Sequence, residues 1–149
     1  SRKIIGWSIS NNLKAVNAVV ALNMALRQLP LNTKNTIHHS DRGAQYCSQE
    51  YVKILKKKSF KISMTENGDP LENAIAERVN GILKTEWINE MRLKSIKDSM
   101  IQIRKIISIY NNERPHSSIE LLTPNEAHII EGEIKRLWKN YYRKKENAF

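Results

Sequence analysis

The sequence predicts an α/β fold in which a sheet with crossover helices is followed by helical material. Three segments with strand character alternate with helical segments along the first half of the chain, and helical patterns follow them. Apolar residues make up 40% of the 149 residues, which can fill a core and argues against disorder. No internal repeat or linker divides the chain, so we expect one domain of ordinary length.

The strands are predicted where apolar residues alternate with small or polar ones. Such alternation marks Ser1–Ser10 and positions 60–64, and Asn35–His39 is predicted as a short strand between them. Because the sequence begins within the first of these, we expect earlier strands upstream of Ser1. The alternating apolar residues are Ile5, Trp7, Ile9, Phe60, Ile62 and Met64.

The first helix is predicted between Asn11 or Asn12, which can cap it, and Pro30, which cannot continue it. Its apolar residues fall into two stripes, so we expect the helix to be mostly buried. One stripe is Leu13, Val16, Val20 and Met24, and the other is Val19, Leu22, Leu26 and Leu29.

The later helices carry clearer end signals. Ser48 can cap a helix that ends in three lysines, where the helix dipole favours positive charge. Thr65–Leu71 is a loop by composition. One helix is predicted from about Glu72 to Met91, and a longer one from Ser95 to about Asn111.

The last helix is predicted to begin at a capping box with proline at its first position, over Thr123–Glu126. We therefore divide the chain into a core, residues 1–122, and a basic helical extension of the same domain, residues 123–149. Lysines and arginines alternate with aromatic residues between positions 135 and 145, so this stretch could contact nucleic acid or pack its aromatic side chains inward.

The formal net charge of +10 favours a polyanionic partner, because each lysine or arginine that neutralises a phosphate releases a counterion. The longest apolar run, Ala18–Leu22, is far too short to span a membrane, and we expect a cytoplasmic protein. The lone Cys47 excludes an internal disulfide. His38 and His39 would point to opposite faces of a strand, and with Cys47 they fall short of a zinc site.

Two carboxylates stand out by their positions in the predicted elements. Asp41 follows the short strand Asn35–His39, at the strand end where open α/β sheets place their ligands. Glu77 lies in the middle of a polar helical stripe, and it could hold a divalent cation together with Asp41, while Lys84 could grip a phosphate. The stripe could equally be a solvated helix face. Its members are Asn73, Glu77, Asn80 and Lys84.

Four segments, in order, resemble bacterial insertion-sequence transposases of the retroviral-integrase (DDE) superfamily. His39–Tyr46 with Ser48 is similar to the segment of the second aspartate in that family. Glu72–Glu77 with Leu83–Trp87 is similar to its glutamate helix. The other two segments are Ser1–Ser8, like the preceding strand, and Tyr110–His116 with Thr123-Pro124, like the closing signature.

This resemblance implies a ribonuclease H-like fold, with a mixed sheet flanked by helices. It also implies catalysis by two aspartates and one glutamate that hold two Mg²⁺ or Mn²⁺ ions, with Asp41 and Glu77 as catalytic residues and metal ligands. The implied activity is cleavage of DNA ends followed by strand transfer, as in DNA transposition and integration. The implied partners are transposon ends and target DNA, with a homodimer or larger assembly in the active complex.

Residues beside the two carboxylates are candidates for contact with DNA. Arg42 could contact a phosphate or steady the carboxylate of Asp41. His116 could touch DNA or cap its loop. The complete set of candidates is Arg42, Asn73, Asn80, Lys84, Arg114 and His116.

The sequence departs from the family pattern at the first aspartate, because no Asp or Glu precedes Asp41. We therefore expect the first strand or strands of the sheet to be missing, and these 149 residues to be inactive alone. The alternative is a nucleic-acid-binding remnant that keeps the fold without the chemistry. DNA binding that is insensitive to Asp41→Asn would fit the remnant, whereas strand transfer lost with that change would fit the enzyme.

Overall fold

The computed structural model describes residues 1–29, 35–66, 73–92 and 94–134. Within them lie six α-helices, two β-strands and two short 3₁₀ turns. The helices are α1 (Ala15–Leu26), α2 (Ala44–Cys47), α3 (Gln49–Lys57), α4 (Ala74–Glu86), α5 (Ile96–Asn112) and α6 (Pro124–Ile129). The strands are β1 (Ile37–Ser40) and β2 (Lys61–Met64), and the turns are Ile88–Glu90 and Ser117–Ile119.

The chain divides into two compact units, and the division falls within α5. One unit is Ile4–Ile106, which contains both strands and α1 to α4. The other comprises Ser1–Lys3 together with Ile107–Phe149. The boundary between residues 1–122 and 123–149 stays a prediction.

The two strands form a parallel pair in which Ile37 lies beside Lys61. Parallel strands need a crossover connection, and α2 and α3 supply it. The predicted strand Asn35–His39 is confirmed, with a start two residues later and an end one residue later, and the third predicted strand is confirmed at Lys61–Met64. This strand–helix–strand unit carries Asp41 directly after its first strand.

The core of this unit forms where α1 meets α3. Val19 and Leu22 on α1 and Tyr51 and Leu55 on α3 are buried and make one cluster, with Phe60 packed against it. The Ser48 cap on α3 is confirmed, because the Ser48 hydroxyl accepts the Tyr51 N–H at 3.4 Å. The apolar spacing of α3 therefore fixes the side of the helix that supports β1 and β2.

The strand predicted over Ser1–Ser10 is wrong. The sheet in the described part of the chain has two strands, and this segment does not enter its ladder. Its backbone instead lies against α1: the Gln28 side chain donates to the Ile5 carbonyl at 2.7 Å, and the Ser8 hydroxyl donates to the Asn17 carbonyl at 2.8 Å. Gly6 permits this approach, since an added Cβ would lie 2.2 Å from the Ala21 carbonyl oxygen.

The start and the burial of α1 also differ from the prediction. The helix is capped at Lys14, and Asn12 instead accepts the Lys14 N–H with its side chain at 3.1 Å. The stripe with Val19 and Leu22 faces the core, whereas the stripe beginning at Leu13 does not: Leu13 is 97% and Val16 51% exposed. The buried side of α1 is the one that packs against Tyr51 and Leu55 of α3.

Helix α4 is shorter than predicted. Asn73 lies at its N-cap, and the helix ends at Glu86 instead of continuing to Met91. Trp87 leaves helical geometry with φ −139° and ψ −54°, and a 3₁₀ turn follows over Ile88–Glu90. The predicted loop at 67–71 and the predicted helix start at Glu72 lie outside the described residues.

The second unit is organised around Tyr110, whose side chain is fully buried. Its hydroxyl donates to the Arg2 carbonyl at 3.1 Å, and its ring meets that of His116 edge-on at 5.0 Å between centroids. The predicted capping box of α6 is confirmed, because Thr123 and Glu126 each accept the other's backbone N–H. The basic and aromatic stretch from position 135 lies outside the described residues.

A search of the described residues for a helix long and apolar enough to cross a membrane finds none.

Candidate functional site

Asp41 lies at the carboxyl end of β1 and is exposed. Its Oδ1 accepts the Gly43 N–H at 2.9 Å, which closes a tight turn before α2. A Cβ at Gly43 would come 2.8 Å from that oxygen and 2.5 Å from the Gln45 Nε2. The glycine therefore leaves room for the carboxylate to bond the backbone, and this bond fixes one oxygen while the other can face a ligand.

Arg42 ties the ends of the two strands together. Its Nε donates to the Thr65 carbonyl at 2.8 Å, and the Thr65 N–H donates to the Ser40 carbonyl at 3.1 Å. The arginine thus steadies the turn that holds Asp41 through the backbone, and direct support of the Asp41 carboxylate stays a prediction. Contact between Arg42 and a phosphate stays a prediction.

Two buried polar residues, Ser40 and Thr65, end β1 and follow β2, and sequence analysis did not single them out. The Ser40 hydroxyl has no hydrogen-bond partner among the described residues. The signal that could have found Ser40 is its place between a strand and Asp41, although a serine at a strand end is too common to be specific. Both residues line the strand end beneath the candidate carboxylate.

Glu77 lies in the first turn of α4 and is exposed, and its carboxylate has no ion pair or hydrogen bond with a described residue. Asn80 and Lys84 are exposed as well, and Asn73, half-buried, accepts the Glu77 N–H with its carbonyl at 3.1 Å. Of the predicted apolar side, Ile82 alone is buried and Ile75 is 56% exposed, so the separation from the polar stripe is only partial, and the role of the stripe stays a prediction.

The two adjacent histidines of β1 bond in different directions, as expected of a strand. The His38 Nε2 lies 2.9 Å from the Tyr51 hydroxyl, and the His39 Nδ1 lies 2.9 Å from the Ser63 hydroxyl. Burial lowers the pKa of His38 and raises the pKa of Tyr51 to about 12. These directions favour a neutral histidine and a neutral phenol in a polar contact beside the core.

Arg114 and His116 lie in the second unit. His116 is buried, and its backbone bonds the Leu122 carbonyl and the Ile119 and Leu121 N–H groups. The Arg114 guanidinium lies 3.3 Å from the His116 Nδ1. Of the two roles left open for His116, holding the loop agrees with this burial, and contact of either residue with DNA stays a prediction.

The candidate metal ligands suit Mg²⁺ or Mn²⁺ in kind, since both ions prefer carboxylate oxygen. The carboxylate of Asp41 is exposed at a strand end and that of Glu77 is exposed on a helix. Asp41 and Glu77 are two of the three carboxylates that the family resemblance implies. The described residues contain no group of three or more histidine, cysteine, aspartate or glutamate side chains that could hold a metal.

The sequence matches known families along most of its length. Two family models, both described as integrase core domain, match residues 1–70 and 58–124. The transposase for insertion sequence element IS629 from Shigella sonnei is 32% identical over 124 residues, which are 83% of this chain and 41% of the relative.

Two further relatives give the same result. The transposase for insertion sequence element IS904 from Lactococcus lactis subsp. lactis (strain IL1403) is 33% identical over 129 residues, which are 85% of this chain and 50% of the relative. Transposase InsF for insertion sequence IS3A from Escherichia coli (strain K12) is 37% identical over 129 residues, which are 85% of this chain and 44% of the relative. The chain spans half the length of these relatives or less.

A solved structure supports the fold. A chain in the cryo-EM structure of the simian T-cell lymphotropic virus intasome in complex with PP2A regulatory subunit B56 gamma matches with a TM-score of 0.62 and 17% identity, over 91% of this chain and 48% of that chain. The predicted partial integrase-core fold is confirmed by this match and by the two family models. The chain belongs to the integrase core domain family, together with the transposases of bacterial insertion sequences.

Proposed function

We propose that these residues form the later part of the catalytic core of an insertion-sequence transposase, which cuts DNA at transposon ends and joins it to target DNA. The observation that carries the proposal is the position of Asp41 at the carboxyl end of a parallel strand, within a chain matched by integrase core models over residues 1–124. The exposed Glu77 on α4 supplies the second carboxylate.

In this proposal Asp41 and Glu77 hold divalent cations, and Mg²⁺ and Mn²⁺ are the candidates. Two such ions, when bound, stabilise the entering and leaving oxygens of an in-line displacement at phosphorus. The protein's own part is to orient: Gly43 fixes one oxygen of Asp41, and Arg42 fixes the turn. The exposed ammonium of Lys84 then serves to hold a phosphate of the DNA.

Asn73 and Asn80 share the polar stripe of Glu77, and we propose that the exposed amide of Asn80 hydrogen-bonds the DNA backbone. Amide groups bond phosphate and sugar oxygens without selecting a base, so this face would position DNA and would not read its sequence. Arg114, His116 and Arg42 complete the proposed set of contacts. Because the reaction acts on two DNA ends, the proposed active complex is a homodimer or larger.

The 149 residues alone supply two of the three expected carboxylates, since no Asp or Glu precedes Asp41. We expect no cleavage when the purified chain is incubated with donor-end DNA and Mn²⁺. Turnover by this chain that disappears in Asp41→Ala would contradict the expectation. Turnover that survives Asp41→Ala would come from a contaminating nuclease. The chain is then purified further to remove the nuclease, and the assay is repeated.

The second candidate function is a nucleic-acid-binding remnant without chemistry, for which the formal net charge of +10 is sufficient. The two functions differ in what Asp41 does. A remnant binds DNA through its cations and does not use the carboxylate, whereas the transposase needs the carboxylate for catalysis and not for binding.

The test uses the full-length parent polypeptide with Asp41→Asn, Glu77→Gln and, as a matched control, the exposed Glu90→Gln. Strand transfer should fall by more than about 100-fold in the first two variants. Mutation of a residue that only supports a metal ligand already lowers activity about 10–100-fold, and loss of the ligand itself should lower it further. The control should keep its activity, and all three should bind DNA as before. Full strand transfer in Asp41→Asn would overturn the proposal.

A further inference from the structure

The outer side of α3 carries a second basic surface, formed by residues other than those proposed above to contact DNA. An open groove of about 580 Å³ runs along it, and we name it the α3 groove. Its lining residues are Cys47, Gln49, Val52, Lys53, Lys56 and Lys57. The lining contains three cations and no acidic residue.

The three lysines are exposed and have no ion pair or side-chain hydrogen bond with a described residue. The helix dipole accounts for positive charge at Lys56 and Lys57 in the last turn, but Lys53 lies before that turn. On the opposite side of the helix, Tyr51 and Leu55 are buried in the core. The helix is therefore anchored on one side and presents three lysines on the other, with the exposed Glu50 as the acidic residue of the helix.

The groove is also lined by an apolar side chain, which a surface of purely solvated lysines would not require. The half-buried Val52 and the exposed Cys47 line the groove together with the charged residues. Lys53 and Lys57 are four residues apart, about 6 Å along the helix axis, while phosphates of one DNA strand advance about 3.4 Å per nucleotide. A row of this length spans two or three phosphates.

We propose that the α3 groove binds the sugar-phosphate backbone of duplex DNA, as a contact separate from the one at Asp41 and Glu77. The inference rests on the proposed function, because it takes DNA as the partner. Lysine ammonium groups bond phosphates as point charges, so the groove would hold DNA without regard to base sequence. Its contribution would be affinity and a strong dependence on salt.

The first experiment measures binding of a 30-base-pair duplex by fluorescence anisotropy at several salt concentrations. In K53Q/K56Q/K57Q the slope of log Kobs against log salt should become shallower by about 2–3, at about 0.9 for each lost phosphate contact. K14Q/K97Q/K105Q removes the same charge from exposed lysines outside the groove and should change the slope by less than about 1. K53R/K56R/K57R should restore the wild-type slope.

The second experiment uses Cys47, the single cysteine of the chain, as a native probe in the groove. Alkylation by iodoacetamide, followed by mass spectrometry, should slow several-fold when wild-type protein is saturated with duplex. In K53Q/K56Q/K57Q at matched DNA occupancy, the protection should be lost.

The outcomes separate the two proposals. Wild-type binding with equal slopes in the groove and control variants overturns the α3 groove and leaves the proposed function standing. Protection of Cys47 that persists in the groove variant at matched occupancy also overturns it, since DNA would then cover the cysteine from elsewhere. A wild-type chain that binds no duplex at all overturns both proposals.

Discussion

Asp41 and Glu77 are held in very different ways, although both are exposed carboxylates of the same unit. Asp41 is fixed within its own loop, by the Gly43 N–H and by the bond from Arg42 to the Thr65 carbonyl. The Glu77 side chain has no such bond to a described residue, and Ile82 is the buried residue of its helix. The position of the Asp41 carboxylate is therefore determined by bonds within its loop, and that of the Glu77 carboxylate by the placement of α4.

The first way to sharpen this comparison is to remove the bond that ties Asp41 to the sheet. Arg42→Ala should lower the free energy of unfolding by about 1–2 kcal/mol, because the Thr65 carbonyl loses a charged donor. The matched control is Arg78→Ala on the exposed side of α4, which should stay within about 0.5 kcal/mol of wild type. Urea unfolding measures both, and equal losses would show that Arg42 is not holding the turn.

A second test makes the same substitution beside each carboxylate. Gly43→Ala should weaken Mn²⁺ binding several-fold and leave the free energy of unfolding within about 0.5 kcal/mol of wild type, because its Cβ would displace the Asp41 carboxylate and the Gln45 amide, which are flexible side-chain ends. Gly81→Ala on α4 meets nothing within 4 Å and should raise stability by about 0.5–1 kcal/mol. Thermal unfolding and Mn²⁺ titration compare them, and Mn²⁺ binding that is unchanged in Gly43→Ala would contradict the described turn.

The smallest expected effect is a pH dependence of the free energy of unfolding that arises from a histidine of β1. Burial lowers the pKa of His38 in the folded protein below about 6.5, the unfolded value, so the unfolded chain takes up the proton first as pH falls. Stability from this group is complete above about pH 6.5 and decreases below it. Urea unfolding at pH 7.5 and 5.5 should show less pH dependence in His38→Gln than in wild type, and an identical dependence would exclude the mechanism.

Sequence patterns predicted the elements whose signals are local. The Thr123 capping box and the Ser48 cap depend on residues three positions apart, and the structure confirms both. The two strands β1 and β2 were also predicted correctly from sequence. One face of this pair packs on α3 through His38 and Tyr51. In each case the deciding contacts lie within the segment or in the next element of the chain.

The failures share a different cause. Ile5, Trp7 and Ile9 alternate like a strand, but a strand needs a neighbour, and the described sheet offers the segment none. Leu13 and Val16 form a good apolar stripe, yet α1 packs through Val19 and Leu22 and leaves them exposed. Pattern alone could nominate Asp41 and Glu77 by position, but it contains no information on how α4 is placed.

The most direct measurement asks whether one cation touches both carboxylates. Mn²⁺ broadens NMR signals of nearby nuclei, so the amide signals of Gly43 and of Arg78 should broaden together along one Mn²⁺ titration of the 149-residue chain. Asp41→Asn should abolish the broadening at both positions, and so should Glu77→Gln. Broadening at Arg78 that is unchanged in Asp41→Asn would show that the two carboxylates do not share an ion, and the proposed catalytic site would be wrong.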